Sequence, residues 1–324
     1  MQKVNHDKVE KFYDVLNEST TLLLEQQNQS YMDALIESSG YILDGDVIND
    51  DLNQDAILSL KQLYTELENK EFNQEEIRKA FQLCLLTGFK HQKTGMSTMT
   101  PDSMGVLVAY LIDQLYPSNK QIDVIDATVG TGNLMVTVLN HAAKTQFGAL
   151  YGIDLNYQHL EIALMLAQLT DHEIELVHQD SRKKLIIPQT NLIIADLPTG
   201  YEKNYDLKLP YQIVNNLMQY NLPGGYFIYL IPNDFFERDG QEDIKQTILT
   251  DTFIHALITL PETMFKTQYS KKSILILRKR GADIEPTKEI LVLNFPSFKD
   301  QIAVKKAMDQ LNVWFNKTSD NGGF

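Results

Sequence analysis

The 324-residue sequence predicts an α/β fold, a doubly wound and mostly parallel sheet with an antiparallel edge, preceded by an α-helical N-terminal domain. Three observations predict it. Eight short apolar runs of strand length follow one another from about residue 120 onward: Ile122–Ala127, Ala149–Ile153, Ile174–Val177, Asn191–Ala195, Tyr226–Ile231, Ala256–Leu260, Ser273–Leu277 and Ile290–Leu293. Helical stretches such as Tyr157–Leu169 and Leu209–Tyr220 lie between the earlier runs, and such alternation builds a parallel sheet covered on both faces. Residues 1–90, by contrast, read as helices separated by polar turns. The domain boundary is therefore placed between a helical segment, 1–90, and an α/β segment, 91–324.

The elements follow from local pattern. Ile57, Leu60, Leu63, Tyr64 and Leu67 recur at helical spacing. Asn73, with Glu76 three residues on, is a capping-box signature ahead of Ile77, Phe81, Cys84 and Leu85. Thr100 is a good N-cap and Pro101 is preset for the first helical position, before apolar Met104, Leu107, Val108, Leu111 and Leu115. The last strands are closely spaced, which predicts the antiparallel edge. Ile302, Leu311, Trp314 and Phe315 form the apolar face of a final helix.

Composition excludes several classes. With 43% hydrophobic and 22% charged residues the chain is neither disordered nor fibrous. No apolar stretch approaches the roughly 18 residues needed to span a bilayer, and residues 1–10 lack an apolar signal core. The single cysteine, Cys84, sits in an apolar helical run as a small buried hydrophobe, so the expected compartment is reducing and cytoplasmic. Acidic residues outnumber basic ones 43 to 29. Residues 1–90 hold 17 of the acids against 8 bases, and the remainder is nearly balanced at 26 against 21. Such a surface repels a phosphate backbone, so the helical segment is expected to dock a protein partner, and unaided DNA binding to be weak. One basic stretch, Lys266, Lys271, Lys272, Arg278, Lys279 and Arg280, contains no acid. It reads either as a face toward phosphate or as a charged edge strand that discourages sheet pairing.

In a doubly wound sheet, ligands bind beyond the carboxyl ends of the strands. The first strand runs into Asp126-Ala127-Thr128-Val129-Gly130-Thr131-Gly132-Asn133, where glycines permit close backbone approach before a helix N-terminus. Met135 stands where a dinucleotide fingerprint needs its third glycine, which argues against a pyrophosphate ligand. The second strand ends in Asp154-Leu155, placing a carboxylate where ribose hydroxyls can be bound. The third leads into Asp180-Ser181 and the fourth into Asp196-Leu197-Pro198-Thr199-Gly200-Tyr201. Four successive strands thus end in, or run into, a carboxylate. No metal ligand set is assigned.

These blocks resemble the class I S-adenosylmethionine-dependent methyltransferases, Rossmann-like in fold, and among them the N6-adenine DNA methylases similar to type I restriction modification subunits. The resemblance covers about residues 90–295. Thr94–Pro101 resembles the family's G-x-x-x-T-P stretch, which implies that Thr100 lies over the methionine part of the cofactor. Asp126–Gly132 resembles D-P-x-x-G-x-G with Ala127 in place of proline. The resemblance implies S-adenosyl-L-methionine as cofactor, held by Thr100, Asp126, Ala127, Thr128, Gly130, Gly132, Asp154, Leu155, Asp180 and Ser181. Asp154 matches the ribose-binding acid and Asp180 the residue that takes the adenine amino group of the cofactor. Ala256–Pro261, followed by Phe265 and Ser273–Lys279, is similar to the family's L-P-x-x-x-F segment and next strand.

Asp196-Leu197-Pro198-Thr199 corresponds to the family's (Asn/Asp)-Pro-Pro-(Tyr/Phe), which implies catalytic roles for Asp196, Leu197 and Pro198. An exocyclic amine is a poor nucleophile because its lone pair is delocalised. Hydrogen bonds from it to the Asp196 side chain and the Leu197 carbonyl shift it toward tetrahedral geometry, facing the electrophilic methyl. Pro198 stiffens the loop. Thr199 cannot stack on a flipped base, and Tyr201 or Tyr205 is the candidate replacement. The expected reaction is methyl transfer to an exocyclic amine, N6 of adenine in DNA first. Acceptors in RNA or protein, and a cofactor-binding scaffold with impaired catalysis, are the alternatives. The chain length leaves no room for a separate target-recognition domain, which a partner subunit would supply.

Overall fold

The computed structural model describes residues 4–68, 70–91, 99–116, 120–200, 206–265 and 267–319. They divide between two compact units, the first comprising Met1–Ala109, Val129–Ala143 and Asn156–His178, and the second Tyr110–Thr128, Lys144–Leu155 and Gln179–Phe324.

In the first unit lie α1 (His6–Gln27), α2 (Tyr31–Asp44), α3 (Gln54–Thr65) and α4 (Gln74–His91), together with α6 (Asn133–His141), α7 (Tyr157–Leu169) and β3 (Glu175–His178). Side-chain caps start the helices: Asn5, Ser30 and Asn53 accept backbone N–H bonds at α1, α2 and α3. The predicted capping box is present before α4, where the Glu76 N–H donates to Asn73 Oδ1 at 2.9 Å and the Asn73 N–H to Glu76 Oε2 at 2.9 Å. One apolar core joins Phe12, Leu16, Leu35, Phe81 and Leu85 to Val136 of α6 and Ile162 and Leu166 of α7. Cys84 is fully buried in it, and burial pushes its thiol pKa up.

Among the described residues, each predicted run forms one strand. The seven in the second unit are β1 (Gln121–Asp126), β2 (Gln146–Asp154), β4 (Thr190–Asp196), β5 (Asn221–Pro232), β6 (Thr252–Thr259), β7 (Lys272–Lys279) and β8 (Leu291–Asn294), in the order β2-β1-β4-β5-β7-β6-β8. β1 is parallel to β2 and to β4, and β4 to β5. The chain therefore leaves β1 on one side and returns on the other, which makes the β1–β4 boundary the switch point where ligands bind. The antiparallel part lies inside the sheet and not at its margin. β7 pairs with both β5 and β6, while β8, parallel to β6, is outermost. β6 and β7 follow one another in the chain and pair antiparallel, so β7 folds back and fills the place between β5 and β6.

That position corrects the reading of the basic stretch as an edge or an open phosphate face. Lys271 pairs with Glu262 at 2.6 Å, Lys279 with Asp251 at 3.6 Å, and Arg278 lies over the Tyr226 ring. Arg280 donates to the carbonyls of Thr252 and Leu249 and stacks on Phe253. Lys272 turns toward β4, and Lys266 lies outside the described residues. The helices of this unit are α8 (Leu209–Leu217), extended by a 3-10 turn over Met218–Tyr220, α9 (Gln241–Asp251) and α10 (Gln301–Ser319). Leu311, Trp314 and Phe315 of α10 are buried as expected, but Ile302 is 73% exposed, and Ala307 fills the inner face in its place.

α5 (Asp102–Leu115) begins one residue later than the Thr100-Pro101 signal suggests. The N–H groups of Met104 and Gly105 donate to the Pro101 carbonyl, so Pro101 occupies the cap position. Asp102 opens the helix with its carboxylate drawn to Arg78 and Lys79.

Candidate active site at the strand ends

Three of the four expected carboxylates close strands: Asp126 ends β1, Asp154 ends β2 and Asp196 ends β4. Asp180 lies two residues beyond β3. This register follows from the strands themselves, because each apolar run stops where the polypeptide leaves the sheet and meets its first polar side chain.

Asp126 is completely buried. Its Oδ1 accepts the Thr128 N–H at 3.1 Å, whereas Oδ2 has no hydrogen-bond partner among the described residues. Burial pushes its pKa up from 3.8 to about 8, the negative charges of Asp196 and Asp154 add to the rise, and the Thr128 N–H opposes it. Thr128 Oγ1 donates to the Asp196 carbonyl at 3.2 Å, which ties the end of β1 to the end of β4. Ala127 is buried, and its carbonyl accepts the Ser181 hydroxyl at 2.5 Å. The hydroxyl of Ser181 thus serves to clamp the post-β3 loop to β1, and Asn216 Nδ2 holds the same loop through the Ser181 carbonyl at 2.9 Å.

Asp180 is engaged by Arg182. The guanidinium donates through Nε at 2.9 Å and through Nη2 at 2.7 Å, and this pairing lowers the Asp180 pKa against a partial burial penalty. Leu155 projects at the end of β2 with 60% of its surface exposed. The Leu197 side chain is fully buried and its N–H donates to the Leu230 carbonyl at 3.1 Å, which leaves the Leu197 carbonyl to face Lys272 Nζ at 2.8 Å. The same ammonium forms an ion pair with Asp196 Oδ1. Sequence reasoning missed this role for Lys272; the only signal is its place at the first position of a strand, among other cations. Tyr201 and Tyr205 lie outside the described residues, as do Thr94–Thr98 of the stretch expected over the methionine group.

Within the first unit, Gly130 and Gly132 adopt φ of 53° and 82°, the left-handed region that favours glycine. Gly132 is the N-cap of α6, and a Cβ there would stand 3.2 Å from Ala163 Cβ and 3.3 Å from Ala163 Cα. Gly132→Ala is therefore expected to cost about 1–2 kcal/mol in backbone strain alone, read as a lower midpoint in thermal unfolding. Asn133, the next residue, donates through Nδ2 to the Thr100 carbonyl at 2.7 Å and accepts from Arg78 Nη1 at 2.6 Å. Arg78 was also missed. Its sequence signal is faint, an arginine three residues after Glu75 on a helix that carries other charges.

Comparison with known proteins places this geometry in context. Residues 10–89 match the YtxK N-terminal helical domain, and residues 211–319 match the N-6 DNA Methylase family. The chain is 35% identical over 334 residues to the uncharacterized protein YtxK of Bacillus subtilis, covering 98% of this chain and 99% of that one. A crystal structure from Listeria monocytogenes, assigned to the class I S-adenosylmethionine-dependent methyltransferases, superposes with a TM-score of 0.85 at 29% identity, covering 96% of this chain and 100% of that one. The type I restriction enzyme MjaVII methylase subunit of Methanocaldococcus jannaschii is 26% identical over 306 residues; these span 82% of this chain but only 50% of that protein. Similarity to YtxK along nearly the whole length of both chains establishes the relationship: the chain belongs to the family of YtxK, its residues 211–319 match the N-6 DNA Methylase family, and its fold is that of a class I S-adenosylmethionine-dependent methyltransferase.

Proposed function

We propose that the chain binds S-adenosylmethionine at the carboxyl ends of β1 and β2 and transfers its methyl group to an exocyclic amine, with N6 of adenine in DNA as the acceptor. The observation that carries this reading is the buried Asp126 carboxyl, with one oxygen unpartnered among the described residues, grouped with Asp154 and Asp196 at the switch point. The residues fit such a cofactor. Asp126 Oδ2 suits an ammonium, Asp154 suits ribose hydroxyls, and exposed Leu155 suits the face of a purine. Ser181 bonds the Ala127 carbonyl and the Thr128 N–H bonds Asp126, which fixes the loops around that carboxyl; the family resemblance assigns Thr100, Gly130 and Gly132 to the same cofactor. Asp180, already paired with Arg182, would contact the adenine amino group only by sharing its carboxylate.

When bound, the cofactor supplies an electrophilic methyl on a positively charged sulfur. The Asp154 carboxylate, joined by that of Asp126 once a bound cation draws off its proton, gives the site a field that favours that charge. Asp196 and the Leu197 carbonyl are the two acceptors that would orient an incoming amine, Pro198 stiffens the loop, and Tyr201 is the candidate stacking platform. Residues 1–90 act as a helical domain whose excess acid suits a protein partner better than DNA, and residues 91–324 as the methyltransferase domain. A partner subunit would then supply sequence recognition.

S-adenosylhomocysteine is expected to raise the unfolding midpoint, by the equivalent of about 2.7 kcal/mol at a hundredfold excess over its Kd. Transfer of tritiated methyl is measured in parallel on DNA, RNA and cell-extract protein. Asp196→Ala is expected to abolish transfer and leave S-adenosylhomocysteine affinity unchanged. Absence of binding at millimolar ligand refutes the proposal. One observation favours a second reading, a cofactor-binding protein without turnover: Lys272 already sits on both amine acceptors. Binding without transfer to any acceptor would select it.

A further inference from the structure

The two acceptors just assigned to the incoming amine are not vacant. Lys272 Nζ donates to the Leu197 carbonyl at 2.8 Å and is ion-paired with Asp196 Oδ1. Sheet register sets this up. Asp196 is opposite Leu230 of β5, and Lys272 is opposite Pro232, two residues further along the same strand. Lys272 thereby starts β7 one strand removed from β4, and its stem reaches back across β5. Only 12% of the Lys272 side chain and 18% of the Asp196 side chain are exposed, so water competes weakly for either charge.

Resting on the function proposed above, we propose that Lys272 is a specificity-determining residue that holds the amine subsite with its own ammonium, so that an exocyclic amine enters only by displacing it. The chemistry is direct. A protonated lysine has three N–H donors and no lone pair, so it satisfies both acceptors while being unable to accept a methyl group. An adenine amine offers the same pair of donors without the charge, and a carboxylate binds a charged donor more strongly. Adenine nucleotides enter only when the lysine stem swings away from β4. Selection of this kind comes from an occupant that every acceptor must displace, which bars free nucleotides and admits an acceptor held by further contacts elsewhere.

The test is binding of 2′-deoxyadenosine 5′-monophosphate without cofactor, measured by ligand-observed NMR titration. Wild-type protein is expected to show no saturable binding up to about 1 mM nucleotide. Lys272→Met is expected to tighten binding by about ten- to hundredfold, the value of a charge-assisted hydrogen bond. Lys272→Ala, which removes the stem as well, is expected to do the same, and adding Asp196→Ala to either is expected to erase the gain. Saturable wild-type binding well below 1 mM overturns the proposal, even should a variant fail to fold. So does equal affinity in wild type and variants, or a gain that survives loss of Asp196. S-adenosylhomocysteine binding by the wild-type chain is scored separately, so failure of the methyltransferase reading is distinguishable from failure of this one.

Discussion

Arg78→Met is expected to lower the unfolding free energy by about 3–5 kcal/mol, because it breaks a buried ion pair by removing one partner. Arg78 is the largest fully buried side chain in the described structure, at 0% exposure. Its Nε and Nη2 fork onto Glu75 at 2.8 and 2.7 Å, and Nη1 reaches Asp102 at 3.1 Å and Asn133 at 2.6 Å. Burial alone would raise the Glu75 pKa, yet the Arg78 fork holds it well below the usual carboxylate range. Without the guanidinium that carboxylate remains buried and loses its strongest partner, keeping Lys79 at 3.5 Å and Asn140 Nδ2 at 3.1 Å. Arg78→Lys is expected to recover less than half of the loss, since a single ammonium cannot reproduce the planar fork. Urea unfolding measures both variants, and a loss below about 1 kcal/mol in Arg78→Met would show that the network is solvated. Asn133 begins α6 directly after Gly132, so the same variant is expected to weaken S-adenosylhomocysteine binding.

A second large effect is expected at Asp126, where pH supplies the signature. In the folded chain this carboxyl keeps its proton to about pH 8, whereas its ordinary pKa is 3.8. Between those values the folded state binds the extra proton, so stability falls as pH rises. The contribution is fully present below pH 4 and lost as pH climbs through 8, amounting to about 6 kcal/mol at most. Asp126→Asn keeps an oxygen for the Thr128 N–H and removes the titration. It is expected to match the wild type within about 2 kcal/mol at pH 5 and to exceed it by several at pH 9. Urea midpoints at pH 5, 7 and 9 measure the slope, and a pH-independent difference between the two proteins would refute a buried, proton-retaining Asp126. Under the proposed function the stabilised variant binds S-adenosylhomocysteine less well, the usual cost of relieving a polar group held in an unfavourable place for a ligand.

Local signals were legible in proportion to how local their causes are. Asn73 and Glu76 bond to each other across three residues, so their capping box is visible as spacing. Each strand is an apolar run, and Asp126, Asp154 and Asp196 fall at strand ends because the run and its terminator are neighbours in the chain. Arg182, two residues from Asp180, was within the same reach but carries no pattern that distinguishes a bidentate pair from a solvated charge. Asp102 at the start of α5 bonds to Arg78, 24 residues away, a contact that no local pattern reveals.

Composition, periodicity and caps therefore settle which segments are helix or strand, where the carboxylates fall and which family the blocks resemble, because each depends on residues within a few positions of one another. The order of strands does not, since it is decided by pairing across long stretches of chain. That is how β7 comes to lie inside the sheet and its cations to be spent on internal partners. The contacts of Lys272 with Asp196, 76 residues away, and of Arg78 with Asn133, 55 residues away, exist only once the chain has folded. So does the burial that raises the Asp126 pKa. Desolvation and charge proximity are properties of three-dimensional neighbourhood, and they are what turn a row of strand-end carboxylates into a site with distinct chemical parts.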